Sequence, residues 1–131
     1  MEPVPHINDR TTALLGFDLQ EAIRNAKEKG IKAAKARALA EHLDHTRKVV
    51  VADEINRARR QAAEKGERMT AQEAESMART SPAYREHLDA LRQAQEARGV
   101  AYAVSSAADR AVELGFRHLS FLQTELKHDA R

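Results

Sequence analysis

From Leu19 to Ala62 apolar side chains return at steps of three and four residues, a run long enough to dominate the whole fold. Leu19, Ile23, Ala26, Gly30, Ala33, Ala36, Ala40, Leu43, Val50 or Val51, Ile55, Ala58 and Ala62 lie near one stripe of a helix, with a slip near Arg47. Asp18 supplies an N-cap, and Glu21 three residues on completes a capping box. At the other end, the basic Lys65 followed by Gly66 reads as a C-terminal stop. Gly30 inside the run costs roughly 1 kcal/mol relative to Ala, so a break there into a short and a long helix is the alternative. Only 4% of the side chains are aromatic, and Ala, Glu, Lys, Arg and Leu dominate. Strands are built from the β-branched and aromatic residues that are scarce here, so the sequence predicts an all-α fold.

A second capping box, Thr70-Ala71-Gln72-Glu73, opens a short helix to about Arg79. Ser81-Pro82 then places an N-cap before a proline at the first helical position, where its missing N–H costs nothing. No proline follows, and the last helix runs to about Lys127, roughly 70 Å at 1.5 Å per residue. Its stripe reads Ala97, Ala101, Val104, Ala108, Ala111, Gly115, Leu119, Leu122 and Leu126. The expected architecture is a long antiparallel helical hairpin with a short connecting helix: residues 1–17 form a flexible N-terminal arm and residues 18–131 a single domain. A two-helix hairpin cannot bury apolar residues on every side of so long a helix. The surplus at Val112, Phe116, Leu119, Leu122 and Leu126 therefore predicts self-association through the C-terminal helix.

Several kinds of chemistry are excluded. With no Cys among 131 residues there is no disulfide framework, thiolate metal site or cysteine nucleophile. The uncharged run Gly99–Ala108 is about half of what a membrane span needs, and the N-terminus lacks the basic start and apolar core of a secretory signal. A cytoplasmic protein without a membrane partner is expected. His42 and His45 share a helix face, and Glu125 with His128 has the Glu-x-x-His spacing of di-metal bundles. That site needs a second copy of the motif and two more carboxylates, so these are read as solvated side chains. No phosphate loop, His-Glu-x-x-His or nucleophile motif is present, and neither an enzyme nor a cofactor is expected.

Net charge is only +2, so its distribution has to speak. Arg24, Lys27, Lys29, Lys32, Lys35 and Arg37 face a single acid, Glu28, in their stretch. Arg57, Arg59 and Arg60 follow with no acid between Ile55 and Ala62, and Lys65 and Arg68 flank the Gly66 turn. From Met69 to the end, eight basic and nine acidic residues balance. One reading is a solvated face with salt bridges to Glu41, Asp53, Glu54 and Glu64. The other is phosphate-backbone binding that grips charge and reads no bases, with Asn56, Gln61 and Tyr84 as possible polar or stacking contacts. On that reading Arg57, Arg59, Arg60, Lys65 and Arg68 form the principal contact, and Lys27, Lys32 and Lys35 add to it.

The order of these features resembles the UvsY type of phage recombination mediator and related small phage helical proteins. The pieces that carry the resemblance are Ile55-Asn-Arg-Ala-Arg-Arg before the turn and Ser81-Pro-Ala-Tyr at the start of the last helix. Ser106-Ala-Ala-Asp-Arg-Ala-Val-Glu-Leu-Gly-Phe116 closes the series. It spans about residues 18 to 128. It implies a non-enzymatic protein, phage-encoded or from a bacterial cytoplasm, that forms a ring-like homo-oligomer and binds single-stranded DNA. Such a protein helps load a RecA-type recombinase onto strands covered by single-strand-binding protein. The family's basic pair falls on Arg57 and Arg59, and its oligomerisation region on Val112 to Leu126. Where that family carries aromatics after the pair, this chain has Arg60, Gln61 and Ala62, a departure that bears on base stacking there. The competing class is a structural or adaptor α-helical oligomer with no nucleic-acid role.

Overall fold

The structure, a computed structural model, describes residues 18 to 129, so the N-terminal arm expected over 1–17 lies outside the described residues. The chain is all-α: α1 spans Leu19–Glu64, α2 Ala71–Thr80 and α3 Pro82–Asp129, with no strand among the described residues. Each boundary has a local cause. Asp18 Oδ1 accepts the Glu21 N–H at 3.1 Å, although the Glu21 carboxylate turns to Arg24 rather than back to the cap. Thr70 Oγ1 accepts the Glu73 N–H at 3.1 Å, and Ser81 Oγ accepts the Tyr84 N–H at 3.2 Å. After α1 the Glu67 N–H bonds Ala62 O at 2.9 Å and the Gly66 N–H bonds Ala63 O at 3.0 Å. That Schellman pair requires a left-handed residue, and Gly66 has φ +71°. Gly30 does not interrupt α1, which is continuous through it.

Packing divides the chain into two units. The turn unit is residues 34–99; the end unit joins the described residues up to Ala33 with those from Val100 onward.

In the turn unit Ala74 and Ala78 of α2 are fully buried, and Ala40, Ala58, Ala62, Tyr84, Leu91 and Ala94 complete the core. The less exposed positions of α1 continue as Ala36, Ala40, Leu43, Arg47, Val50, Glu54 and Ala58, at steps of three and four. The apparent slip near Arg47 is therefore absent, because Arg47 and Glu54 occupy seam positions themselves. The Glu54 side chain is only 15% exposed, with Arg57 Nη1 at 3.6 Å. A cross-helix bond ties α1 to α3 in this unit: His87 Nε2 lies 2.7 Å from Leu43 O on α1. A carbonyl oxygen only accepts, so His87 donates through Nε2–H. Thr46 Oγ1 bonds the same carbonyl at 3.2 Å. With residues 43–46 opposite 87 and residues 54–61 near 77–82, α1 and α3 run antiparallel in this unit.

The end unit has a seam of small residues. Leu19, Ala22, Ala26, Gly30 and Ala33 of α1 and Ala101, Ser105, Ala108, Val112 and Gly115 of α3 are its less exposed positions, followed by Leu119 and Leu122. A Cβ added at Gly30 would meet Ser105 Oγ at 3.9 Å, so the two helices come close here but not too close for Ala. The stripe expected for α3 mixed two neighbouring ones, since Ala97, Val104 and Ala111 are exposed. The observed seam keeps a seven-residue repeat from Ala101 to Leu122, and the expected stripe shares its Ala101, Ala108 and Gly115 but takes the apolar Val104 and Ala111 on the outer flank in place of Ser105 and Val112. A second stripe stands outward beside the seam. Val100, Ala107, Leu114 and Phe121 recur every seventh residue with Val104 and Ala111 between them, and Val100 and Phe121 are 66% and 60% exposed.

Candidate nucleic-acid interface

The arginines that close α1 do not act from one face. At about 100° per residue, Arg57 and Arg60 lie roughly 60° apart on one flank, while Arg59 lies about 160° from Arg57. All three are exposed, as are Lys65 and Arg68 at the turn. Arg57 approaches Glu54, and Arg60 Nε donates to Asn56 O at 3.4 Å. Arg59, Lys65 and Arg68 make no ion pair among the described residues. Capping geometry explains the placement of the turn pair: Gly66 reverses the chain, so Lys65 and Arg68 leave the helix on either side of it. Between the Arg57 flank and α2 is an open notch of about 350 Å³ lined by Glu54, Arg57, Ala58, Gln61, Met77, Thr80, Ser81 and Pro82.

Of the more N-terminal basic run, Lys35 belongs to the turn unit and Lys27 and Lys32 to the end unit, and all three are exposed. The two arginines bracketing that run are engaged: Arg24 with Glu21 at 3.2 Å and Arg37 with Glu41 at 3.0 Å. The hydrogen bond from Arg37, and then its positive charge, hold the Glu41 carboxyl below the usual carboxylate range. That depressed value means the pair's small contribution is present above the ordinary carboxylate pKa and disappears only as pH falls through the lower, folded one. These contacts favour the solvated-face reading for the two arginines. The four lysines between them make no ion pair among the described residues.

Tyr84 is 6% exposed and belongs to the core, so it offers no ring face for a base to stack on; Asn56 and Gln61 are exposed. His42, His45 and His128 are exposed, and no group of three metal-ligating side chains occurs among the described residues.

Sequence reasoning missed a second basic group. Arg47 and Lys48 of α1, Arg79 of α2 and Tyr84 of α3 line an open notch of about 260 Å³ together with Val51. The signal was there in principle: once the chain reverses at Gly66, residues near 48 must return opposite residues near 84. In the sequence Arg47 and Lys48 fall at the apparent slip of the α1 stripe, and Arg79 stands alone on a short helix. The oligomerisation residues also divide. Val112, Leu119 and Leu122 are half-buried at seam positions, whereas Phe116 and Leu126 are exposed.

Compared with family models, curated proteins and solved structures, the chain matches none. No described helix is long and apolar enough to cross a membrane.

Proposed function

We propose that this protein is a non-enzymatic single-stranded-DNA-binding protein that acts as a recombination mediator, helping to load a RecA-type recombinase onto strands covered by single-strand-binding protein. The observation that carries the binding step is the set of cations in the turn unit that no carboxylate neutralises: Arg59, Arg60, Lys65 and Arg68 stand exposed without an ion pair among the described residues. Arg57 stands beside them with a weak pair to Glu54. Exposed guanidinium and ammonium groups bind phosphates by charge and counterion release, without reading sequence. The recombinase, the single-strand-binding protein and a phage or bacterial cytoplasmic setting rest on the resemblance in the order of motifs.

Self-association belongs to the same proposal. The outward stripe of Val100, Val104, Leu114 and Phe121, with Phe116 and Leu126, leaves α3 of the end unit more apolar on its surface than a lone pair of helices needs. A second copy offers the same heptad spacing and covers it by the same knobs-into-holes packing. A ring of subunits would line up many weak phosphate contacts along one strand.

The alternative is a structural or adaptor helical oligomer. Seven ion pairs between residues three or four apart on the same helix, six of them exposed on both sides, favour it, because pairs so placed are those of an ordinary solvated helix face. Titrating a labelled single-stranded oligonucleotide with wild type and with a variant carrying Arg57→Gln, Arg59→Gln and Arg60→Gln separates the two. Mediator activity requires weaker binding by the variant at unchanged helicity. Equal binding and an equal salt dependence would leave these arginines a solvated face.

A further inference from the structure

The notch of Arg47, Lys48, Arg79 and Tyr84 brings together side chains from all three helices at a place where the sequence gives no local clue. Its walls are unlike those of the larger notch, which holds one cation and a carboxylate, Glu54. Three cations border a space of about 260 Å³, below the size of a usual small-molecule pocket and suited to a group rather than a whole ligand. The acids nearby are already committed. Glu75 Oε1 takes Arg79 Nε at 3.3 Å and Nη2 at 3.0 Å, which fixes the plane of the guanidinium and leaves its remaining N–H groups to point elsewhere. Asp44 lies 3.7 Å from Arg47. Lys48 has no ion pair among the described residues and is exposed. Buried Tyr84 of α3 lines the notch between these exposed cations.

The position of the notch on α1 adds a second observation. Lys48 and Arg59 are eleven residues apart, which at about 100° per residue brings them to within roughly 20° of one flank and about 16 Å apart along the axis. Arg57 and Arg60 lie on other sides of the helix. The flank with the notch thus carries Lys48, Arg59 and, from α2, Arg79.

We infer that this notch seats one backbone phosphate of a single-stranded nucleic acid, and that the strand leaves it along the Lys48–Arg59 flank of α1. Arg79, oriented by Glu75, supplies directed N–H donors, and Lys48 and Arg47 supply charge. The inference rests on the nucleic-acid reading above and names the place and direction of contact within it.

The test uses the full chain and a fluorescent single-stranded oligonucleotide titrated at several salt concentrations. Lys48→Gln with Arg79→Gln is compared with Arg92→Gln and Arg98→Gln, which removes the same charge from exposed positions of α3 that do not line the notch. Loss of the notch pair should weaken binding by about tenfold and flatten the logarithmic salt slope by roughly 0.7, the value for one phosphate contact of a single strand. The control pair should change both much less, and Arg79→Lys should recover part of the loss. Because a variant can lose its fold, a second readout uses wild type alone: the side-chain resonances of Arg79 and Tyr84 should shift when the oligonucleotide is added. If the notch pair and the control pair bind alike while wild type binds tightly, or if those resonances stay still on binding, the notch is not the seat and the wider reading survives. If wild type itself does not bind, both fall together.

Discussion

Gly30 and Gly66 illustrate how differently one residue type serves this chain. Gly66 has φ +71° and closes α1 with two backbone bonds, so any side chain there enters a conformation that L-residues avoid. Gly30 is an ordinary helical residue whose added Cβ would sit 3.9 Å from Ser105 Oγ, a normal contact. Gly30→Ala should therefore stabilise the protein by about 0.5–1 kcal/mol through helix propensity, and Gly66→Ala should destabilise it by about 1–2 kcal/mol. Urea denaturation of the two variants checks both signs; a stabilising Gly66→Ala would refute the capping account. At this scale the sequence was readable wherever chemistry is local. The caps at Asp18, Thr70 and Ser81 and the stop at Gly66 depend on residues within three or four positions of each other. His87 was not readable, since its bond to Leu43 O joins residues 44 positions apart and a lone histidine announces no partner.

Among elements, the lengths of the helices were legible and the register of their faces was not. The caps at Asp18, Thr70 and Ser81, the stop at Gly66 and the absence of proline after Pro82 set the lengths. Register depends on which residues count as inward, and an apolar count omits Arg47, Glu54, His87 and Ser105, all of which lie on the seams. Small residues at Ala22, Ala26, Gly30, Ala101 and Ala108 bring backbones near enough for such polar side chains to be shared between helices. In the turn unit a polar side chain is shared between helices through the His87 bond to Leu43 O. His87→Ala should cost about 1–2 kcal/mol, for a part-buried hydrogen bond and the packing of the ring, whereas His42→Ala on the exposed face of α1 should fall within about 0.5 kcal/mol of wild type. Equal effects in chemical denaturation would mean that the cross-helix bond contributes nothing to the turn unit.

At the scale of the whole molecule, the question is what the surfaces left outside the two seams do. On α3 of the end unit the outward heptad stripe is distinct from the seam, which makes self-association testable without damaging the subunit. Leu114→Ser with Phe121→Ser removes exposed apolar groups and should shift the mass in light scattering toward smaller species, with helicity retained. A wild type that is already monomeric would overturn that part of the proposal. The candidate interface was legible only in part, for a related reason. Closely spaced arginines such as Arg57, Arg59 and Arg60 are conspicuous in the chain yet fan around the helix, while Lys48 and Arg79 lie 31 positions apart and line one notch. Charge clustering in sequence and charge clustering in space are different properties on a helix.

The central claim is that unneutralised cations of the turn unit hold a single-stranded backbone, and its most direct measurement is the affinity of the wild-type protein for a labelled single-stranded oligonucleotide across a salt series. The account predicts binding at low salt that weakens linearly on logarithmic axes, with a slope of about 0.7 per phosphate engaged and little change between oligonucleotides of different sequence. Absence of binding at low salt, or an affinity indifferent to salt, would contradict it.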